Sequence, residues 1–189
     1  MKVIIEKEQF LRTLKRVTHE IIENNENLNK VILVGIEKKG TPIAKAIKEF
    51  IKNFEGVDVP LEVINISSHR DDHKKDIEAK VVFENDINGK ILILVDDVLY
   101  TGRTVRAAMD AIMDLGRPSK IELAVFVDRG HRELPIRADF VGKSIPTSRD
   151  EMIVCDFESK DGFYTFFNFV NLFGQFARLV KFRDFIKQF

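Results

Sequence analysis

The stretch with the densest chemistry is Val95-Asp96-Asp97-Val98-Leu99-Tyr100-Thr101-Gly102-Arg103-Thr104. It begins at the end of an uninterrupted apolar run, Ile91 to Val95, and leads into a helical pattern. Ligands of open α/β sheets sit at that carboxyl edge. Thr101, Gly102, Arg103 and Thr104 put backbone N–H groups and hydroxyls at a helix N-terminus, which suits a phosphate dianion. Gly102 allows the backbone to approach the phosphate closely. Asp96 and Asp97 repel phosphate, but they suit sugar hydroxyls, or a hydrated Mg²⁺ that bridges pyrophosphate oxygens. The turn is neither a Walker loop nor a dinucleotide fingerprint, because G-x-x-x-x-G-K-[ST] and G-x-G-x-x-G are both missing. An acidic turn followed by a helix cap is the plainer reading of the same residues. The strand–turn–helix context favours a phosphosugar site.

A chain of 189 residues suits one domain with a small appendage. Thirty Lys plus Arg offset thirty Asp plus Glu, which excludes a uniformly basic nucleic-acid coat and leaves room for a local basic patch. Apolar residues at 44% and charged residues at 32% argue against disorder. The single cysteine, Cys155, excludes an intrachain disulfide and a Cys-rich metal site. The opening MKVIIEKEQF has no signal-peptide core, so a cytoplasmic protein is expected.

The elements that must position the turn read as follows. Val3–Ile5 is a short first strand or entry segment. Phe10, Leu14, Val17 and Ile21 recur at helical spacing within a helix from Glu6 to about Asn25. Val31–Val34 is a buried strand, and a helix from Pro42 runs to about Phe54. Leu61–Ile66 is a second strand, followed by the polar run SSHRDDHKKD (67–76) and a short strand at Val81–Phe83. Ile91–Val95 suits a parallel strand covered on both faces. Val105–Leu115 is a helix, Ile121–Val127 a strand, and Ile153–Val154 part of a last core strand. Strand, helix, strand at this spacing predicts βαβ units and an α/β fold with a mostly parallel sheet.

The tail differs in composition. Residues 163–189 hold nine of the sixteen phenylalanines, and no residue from Gly162 to Ala177 is charged. Phe166, Phe169, Val170, Phe173, Phe176, Ala177 and Val180 fall on one helical stripe. The expected division is therefore a domain over 1–161 and an amphipathic helical tail over 162–189. The tail is expected to pack against the core or a second subunit; it is too broken by Asn and Gln for a membrane span.

The turn resembles the phosphoribosyl-diphosphate (PRPP) motif of type I phosphoribosyltransferases. VDDVLYTGRTVRAAMDA and VDRGHRELPIRADFVGKSIPTS together resemble the PyrR family of pyrimidine-operon regulators, which are also uracil phosphoribosyltransferases. The resemblance covers residues 1 to about 157. It implies the type I phosphoribosyltransferase fold with a small hood. It also implies formation of UMP and diphosphate from uracil and PRPP with Mg²⁺, and a chain that forms a homodimer or higher oligomer. The nucleotide-binding residues would be Lys38, Lys39 and Gly40 of a pyrophosphate loop, with Asp96, Asp97, Val98, Leu99, Tyr100, Thr101, Gly102, Arg103 and Thr104. A cis bond is expected at Lys38-Lys39, where two lysines keep the charge of the usual Thr-Arg but lose its planar fork. A lid would begin at Ser67 and run through His69, Arg70, Asp71 and Asp72. Transfer to a base passes through a ribose with oxocarbenium character while pyrophosphate departs. Lys39 and Arg70 would supply charge, a mobile lid would exclude water, and Asp97 completes the catalytic set. Asp128, Arg129 and Gly130 would lie at the uracil, unless Asp128 and Arg129 form only a structural ion pair.

The same resemblance places an RNA face on Arg16 and His19 of the first helix and on Arg132, Arg137 and Lys143. Residues 129–149 hold five Arg or Lys against two acidic side chains. Such groups grip phosphates, while splayed bases need stacking and hydrogen bonds. The partner would be the messenger leader of pyrimidine genes, with UMP or UTP as the signal. Two other readings stay open: a uracil salvage enzyme that does not bind RNA, and a weak enzyme that senses nucleotides for RNA regulation.

Overall fold

In the computed structural model, the described residues are 2–66, 82–158 and 163–170. Five parallel strands form the main sheet: β2 (Val31–Ile36), β3 (Leu61–Ile64), β4 (Ile91–Leu99), β5 (Lys120–Asp128) and β6 (Phe140–Ser144), in the order β3-β2-β4-β5-β6. Helices α1 (Lys7–Asn24), α2 (Gly40–Glu55) and α3 (Arg103–Leu115) cover it.

Alternation along the strands splits the core in two. Leu33, Ile93, Val95, Ala124 and Phe126 pack with Phe10, Leu14 and Val17 of α1 and with Ile43 and Ile47 of α2. Ile32, Val34, Leu92, Leu94, Leu123 and Val125 pack with Val105, Ala108 and Ile112 of α3. The central strands are therefore apolar on both faces, which is why they read as continuous hydrophobic runs. Phe10 and Phe126 meet with ring centroids 4.5 Å apart.

A second sheet is antiparallel: β1 (Lys2–Ile5), β8 (Phe163–Val170) and β7 (Glu151–Glu158), in the order β1-β8-β7. Four expectations change here. Ile153 and Val154 lie in this smaller sheet and not in the parallel one, although Ile153 is buried in the main core. The helix expected through Phe166, Phe169 and Val170 is a strand. Its run of aromatic residues favours pleated backbone; β7 pairs with it along its whole length and β1 with Phe166–Asn168 on the other side. The boundary expected at 161–162 thus falls between two paired strands; the remainder of the stripe, from 171 on, lies outside the described residues. Val82 and Phe83 form no strand. Glu62 accepts hydrogen bonds from the N–H groups of Glu84 and Asn85 at 3.3 and 2.9 Å, which fixes residues 84–85 as a turn beside β3. Strand β6 was not expected at all.

The strand order creates one crevice. From β2 the chain crosses to β3 on one side, then returns to β4 on the other. α2 and α3, which follow β2 and β4, lie on opposite faces of the sheet. The loops after β2 and β4 therefore diverge at the carboxyl edge, and ligands bind at such switch points. Gly40, the first residue of α2, has no room for a side chain: a Cβ there would lie 2.1 Å from the carbonyl oxygen of Val95. Gly40→Ala is expected to lower unfolding free energy by at least ~1–3 kcal/mol, the usual cost of forcing a methyl into packed structure. Urea denaturation of the two proteins measures it; equal midpoints would mean that the two loops are not held together.

Candidate nucleotide site and the loops around it

The candidate site lies where the loop after β2 meets the end of β4. Lys38 takes a left-handed conformation, φ 75°, and turns the chain into α2. The expected cis bond at Lys38-Lys39 is not present, since every described peptide bond is trans. The turn is made by a positive φ instead. Lys39 Nζ lies 3.7 Å from Oδ2 of Asp97.

Asp96 and Asp97 are consecutive and only 7% and 8% exposed. Asp96 Oδ1 accepts the N–H of Asp97 at 2.9 Å. Burial holds the Asp96 carboxyl well above its ordinary pKa, the nearby Asp97 raises it further, and Lys39 opposes the shift. Among the described residues no three His, Cys, Asp or Glu side chains cluster as a metal cage. A paired carboxylate of this kind fits a cation that keeps waters and ligand oxygens for its other positions.

Val98 and Leu99 still belong to β4; Leu99 is buried in the core and Val98 packs against it, so they offer backbone rather than side chains to a ligand. Tyr100, Thr101 and Gly102 form the turn. Gly102 precedes α3 at φ 92°, a conformation that favours glycine. The Thr101 hydroxyl accepts the Arg103 N–H at 3.3 Å. The first-turn amides of α3 face the carboxyl edge without helical acceptors of their own, as a phosphate site requires. Arg70 and the rest of the expected lid, Ser67 to Asp72, lie outside the described residues.

Two arginines of the 128–137 segment do work that the sequence did not reveal. Arg129 is only 5% exposed. Its guanidinium carbon lies 4.0 Å from the Tyr100 ring centroid, and it donates to Thr147 Oγ1 at 3.0 Å and to the carbonyls of Ser148 and Glu151. Burial lowers its pKa, while Tyr100 and Glu151 pull the other way. Arg129 thus ties the turn after β4 to the loop that enters β7. Asp128 pairs with Arg132, not with Arg129, which corrects the alternative ion pair. Arg132 also donates to the carbonyls of Tyr100 at 2.7 Å and Ile136 at 3.0 Å. Its guanidinium is turned into the protein. The N–H groups of Arg129 and Gly130 donate to Leu99 O and Asp128 Oδ1 at 3.1 and 2.9 Å. Asp128 O already accepts the Ile145 N–H at 2.8 Å and Gly130 O accepts from Arg132 at 3.2 Å, so what this turn offers a base edge is the remaining carbonyl lone pairs.

The RNA candidates divide. Arg137 is exposed, and Lys143 is half-buried on β6. Arg16 crosses from α1 to β6 and donates to the carbonyls of Val141 and Gly142 at 3.0 and 2.6 Å, so α1 is brought to the strand that carries Lys143. His19 stacks on Phe54 of α2, with centroids 4.3 Å apart and planes 14° from parallel. Lys15 lies 5.6 Å above the Phe50 ring. Neither Phe50 nor Phe54 was a candidate, because helical spacing alone makes them part of an apolar face.

Residues 3–160 match the family model described as phosphoribosyl transferase domain. A curated relative from Enterococcus faecalis, "Bifunctional protein pyrR", is 53% identical over 165 residues, covering 85% of this chain and 92% of the relative. A "Pyrimidine operon regulatory protein" from Lactococcus lactis is 51% identical over 161 residues, covering 85% and 92%. Among solved structures, a hypoxanthine-guanine phosphoribosyltransferase from Bacillus anthracis superposes with TM-score 0.63 at 25% identity, covering 82% of this chain and 86% of that one. A Trypanosoma cruzi hypoxanthine phosphoribosyltransferase in complex with IMP gives TM-score 0.64 at 20% identity, covering 78% and 77%; that likeness is one of fold. No helix of the described residues is long and apolar enough to cross a membrane. With the crevice at the β2/β4 divergence, the paired aspartates and the turn onto α3 all in place, the chain belongs to the phosphoribosyltransferase family, in the branch of the bifunctional PyrR pyrimidine-operon regulators.

Proposed function

We propose that this protein forms UMP and diphosphate from uracil and PRPP, and that it binds the messenger leader of pyrimidine genes in response to uridine nucleotides. The observation that carries the first half is the phosphate-type turn 101–104 beside two buried aspartates at the switch point of the sheet. The second half is supported by identity above 50% to a bifunctional relative and to a pyrimidine operon regulatory protein.

The amides of Thr101–Thr104 would hold the 5′-phosphate, and Asp96 and Asp97 the ribose hydroxyls. N1 of uracil bonds to C1′ as the bond from C1′ to the pyrophosphate oxygen breaks, and the N1 proton leaves to solvent. Lys39, beside Asp97, is placed to meet negative charge on the departing group. Mg²⁺ entering with PRPP would shield the pyrophosphate charge, and Asp96 and Asp97 would hold it through water or through PRPP itself. The carbonyls of the Asp128–Gly130 turn suit a ring N–H donor of the base. Arg132 is engaged inside the protein, and Arg16, though half exposed, spends its guanidinium on Glu20 and the carbonyls of β6, which favours one alternative, uracil salvage without RNA binding; Arg137 is an exposed cation on which the RNA reading turns.

Three outcomes are expected. Asp97→Asn removes a charged acceptor worth about 1.5–3 kcal/mol, so kcat/KM for PRPP should fall ~10–150-fold in a steady-state uracil assay; unchanged kinetics would remove Asp97 from the reaction. Asp96→Asn should raise the melting temperature of the ligand-free protein at pH 7. The folded state disfavours the Asp96 carboxylate, so its contribution to stability falls as pH rises past the ordinary value of 3.8. Near pH 3, where the group is protonated in both states, the gain should vanish. Calorimetry at the two pH values measures this, and a lower melting temperature at pH 7 contradicts it. Finally, Arg137→Ala should weaken leader RNA binding and reduce the salt slope by about 1, with phosphoribosyl transfer retained. Equal affinities across a salt series would leave the salvage reading.

A further inference from the structure

The segment that carries Arg137 is joined directly to the turn proposed for the nucleotide phosphate. The N–H groups of Glu133 and Leu134 both donate to the Thr101 carbonyl, at 3.0 and 3.2 Å. Arg132 holds the carbonyl of Tyr100 at 2.7 Å. Leu134 and Ile136 stand over Gly102, each 3.5 Å from where a Cβ would be. Arg103 Nε donates to Glu133 Oε2 at 2.8 Å, and both side chains are about half exposed, at 56% and 50%. These contacts couple residues 132–136 to 100–103, and Arg137 comes next in the chain.

The Arg103–Glu133 pair is the part of this junction that a bound nucleotide must disturb. Arg103 is the first residue of α3, among the amides proposed for the 5′-phosphate. A phosphate dianion there attracts the Arg103 guanidinium and repels the Glu133 carboxylate. An exposed ion pair adds little to stability, so exchange of partners carries little cost. The other contacts are backbone hydrogen bonds and apolar packing, which the phosphate charge does not oppose.

Resting on the RNA reading above, we infer that Glu133 reports nucleotide occupancy to the RNA-binding segment. With the turn empty, Glu133 is held by Arg103 and its carboxylate stands four residues from Arg137. With nucleotide bound, Arg103 is drawn to the phosphate, Glu133 is released and repelled, and the backbone of 133–137 shifts about its anchor at Thr101. Glu133 is a positioning residue in this scheme and touches neither uracil nor PRPP. Reciprocity requires that RNA tighten nucleotide binding by the same factor that nucleotide tightens RNA.

The test is a titration of a pyrimidine-gene leader RNA hairpin with and without UMP, on the wild type and on Glu133→Gln. The glutamine keeps the shape of the side chain and removes the charge that senses phosphate. The wild type should show a UMP-dependent gain in the usual range for coupled sites, about 5–150-fold. In Glu133→Gln, affinity without UMP should rise toward the UMP-bound value, and the gain should fall at least ~3-fold toward unity. kcat at saturating uracil and PRPP should stay within about twofold, since no reacting atom is touched, while KM for PRPP is free to fall as Arg103 is released. A full wild-type gain in the variant overturns the inference. So does an equal rise with and without UMP, which marks removal of a negative charge and nothing more. Wild-type RNA binding that ignores UMP overturns it too, with the RNA reading intact. A wild type that makes UMP but binds no hairpin defeats the RNA reading itself, and the coupling with it.

Discussion

The contact on which this molecule depends is the approach of the Gly40 backbone to the carbonyl of Val95. The loop after β2 and the end of β4 come so close there that a methyl group would overlap the carbonyl oxygen at 2.1 Å. This proximity brings Lys39 to within 3.7 Å of Asp97 although the two residues are 58 positions apart in the sequence. It also shuts water away from Asp96 and so keeps that carboxyl hard to ionise. A charged pair and a reluctant acid next to each other follow from one missing side chain. In the proposed reaction, ribose hydroxyls or a cation would offer the Asp96 carboxyl the partners that burial denies it.

A second layer of organisation surrounds that crevice. Arg129 and Arg132 are neighbours in sequence but reach in different directions. Arg129 runs to Thr147, Ser148 and Glu151 at the entrance to β7. Arg132 runs back to the end of β4. Between them they bind the turn after β4, the 128–137 segment and the antiparallel sheet into one unit. Buried guanidinium groups satisfied by carbonyls are costly to leave unpaired, which makes this junction stiff. The exposed Arg103–Glu133 pair beside it is the soft spot in an otherwise rigid connection.

Much of the fold was legible because the relevant signals are local. Continuous apolar runs at Val31–Val34 and Ile91–Val95 identify parallel strands buried on both faces, and 3.6-residue spacing identifies α1 and α3. The phosphate turn was legible because its residue types and its strand–helix setting agree. What was not legible depended on partners distant in sequence. β6 is short and bounded by polar residues, and it becomes a strand because β5 offers an edge. Phe163–Val170 satisfies a helical stripe as well as a strand; β1 and β7 on either side decide the matter, and no local pattern names them. Arg129 and Arg132 look alike in the sequence as free cations. Only the carbonyls of Tyr100, Ser148 and Glu151 show that both point inward. Glu133 carried no signal at all, being a lone acid in a basic run.

The placement of β8 between β1 and β7 also sets an order of assembly. Lys2 pairs with Asn168, so the first strand made waits for nearly the last described one before it has a neighbour. At roughly 5–20 residues per second, synthesis leaves β1 without its partner for about 8–33 s. The parallel sheet, whose strands all lie between residues 31 and 144, has no such wait. The crevice at the β2/β4 divergence is thus complete in outline on the growing chain while the antiparallel sheet still lacks its central strand. Closing that sheet joins residues about 166 positions apart, the most distant strand pairing among the described residues, and contacts of such long range form late and slowly. The antiparallel sheet is therefore the last of the described parts to form.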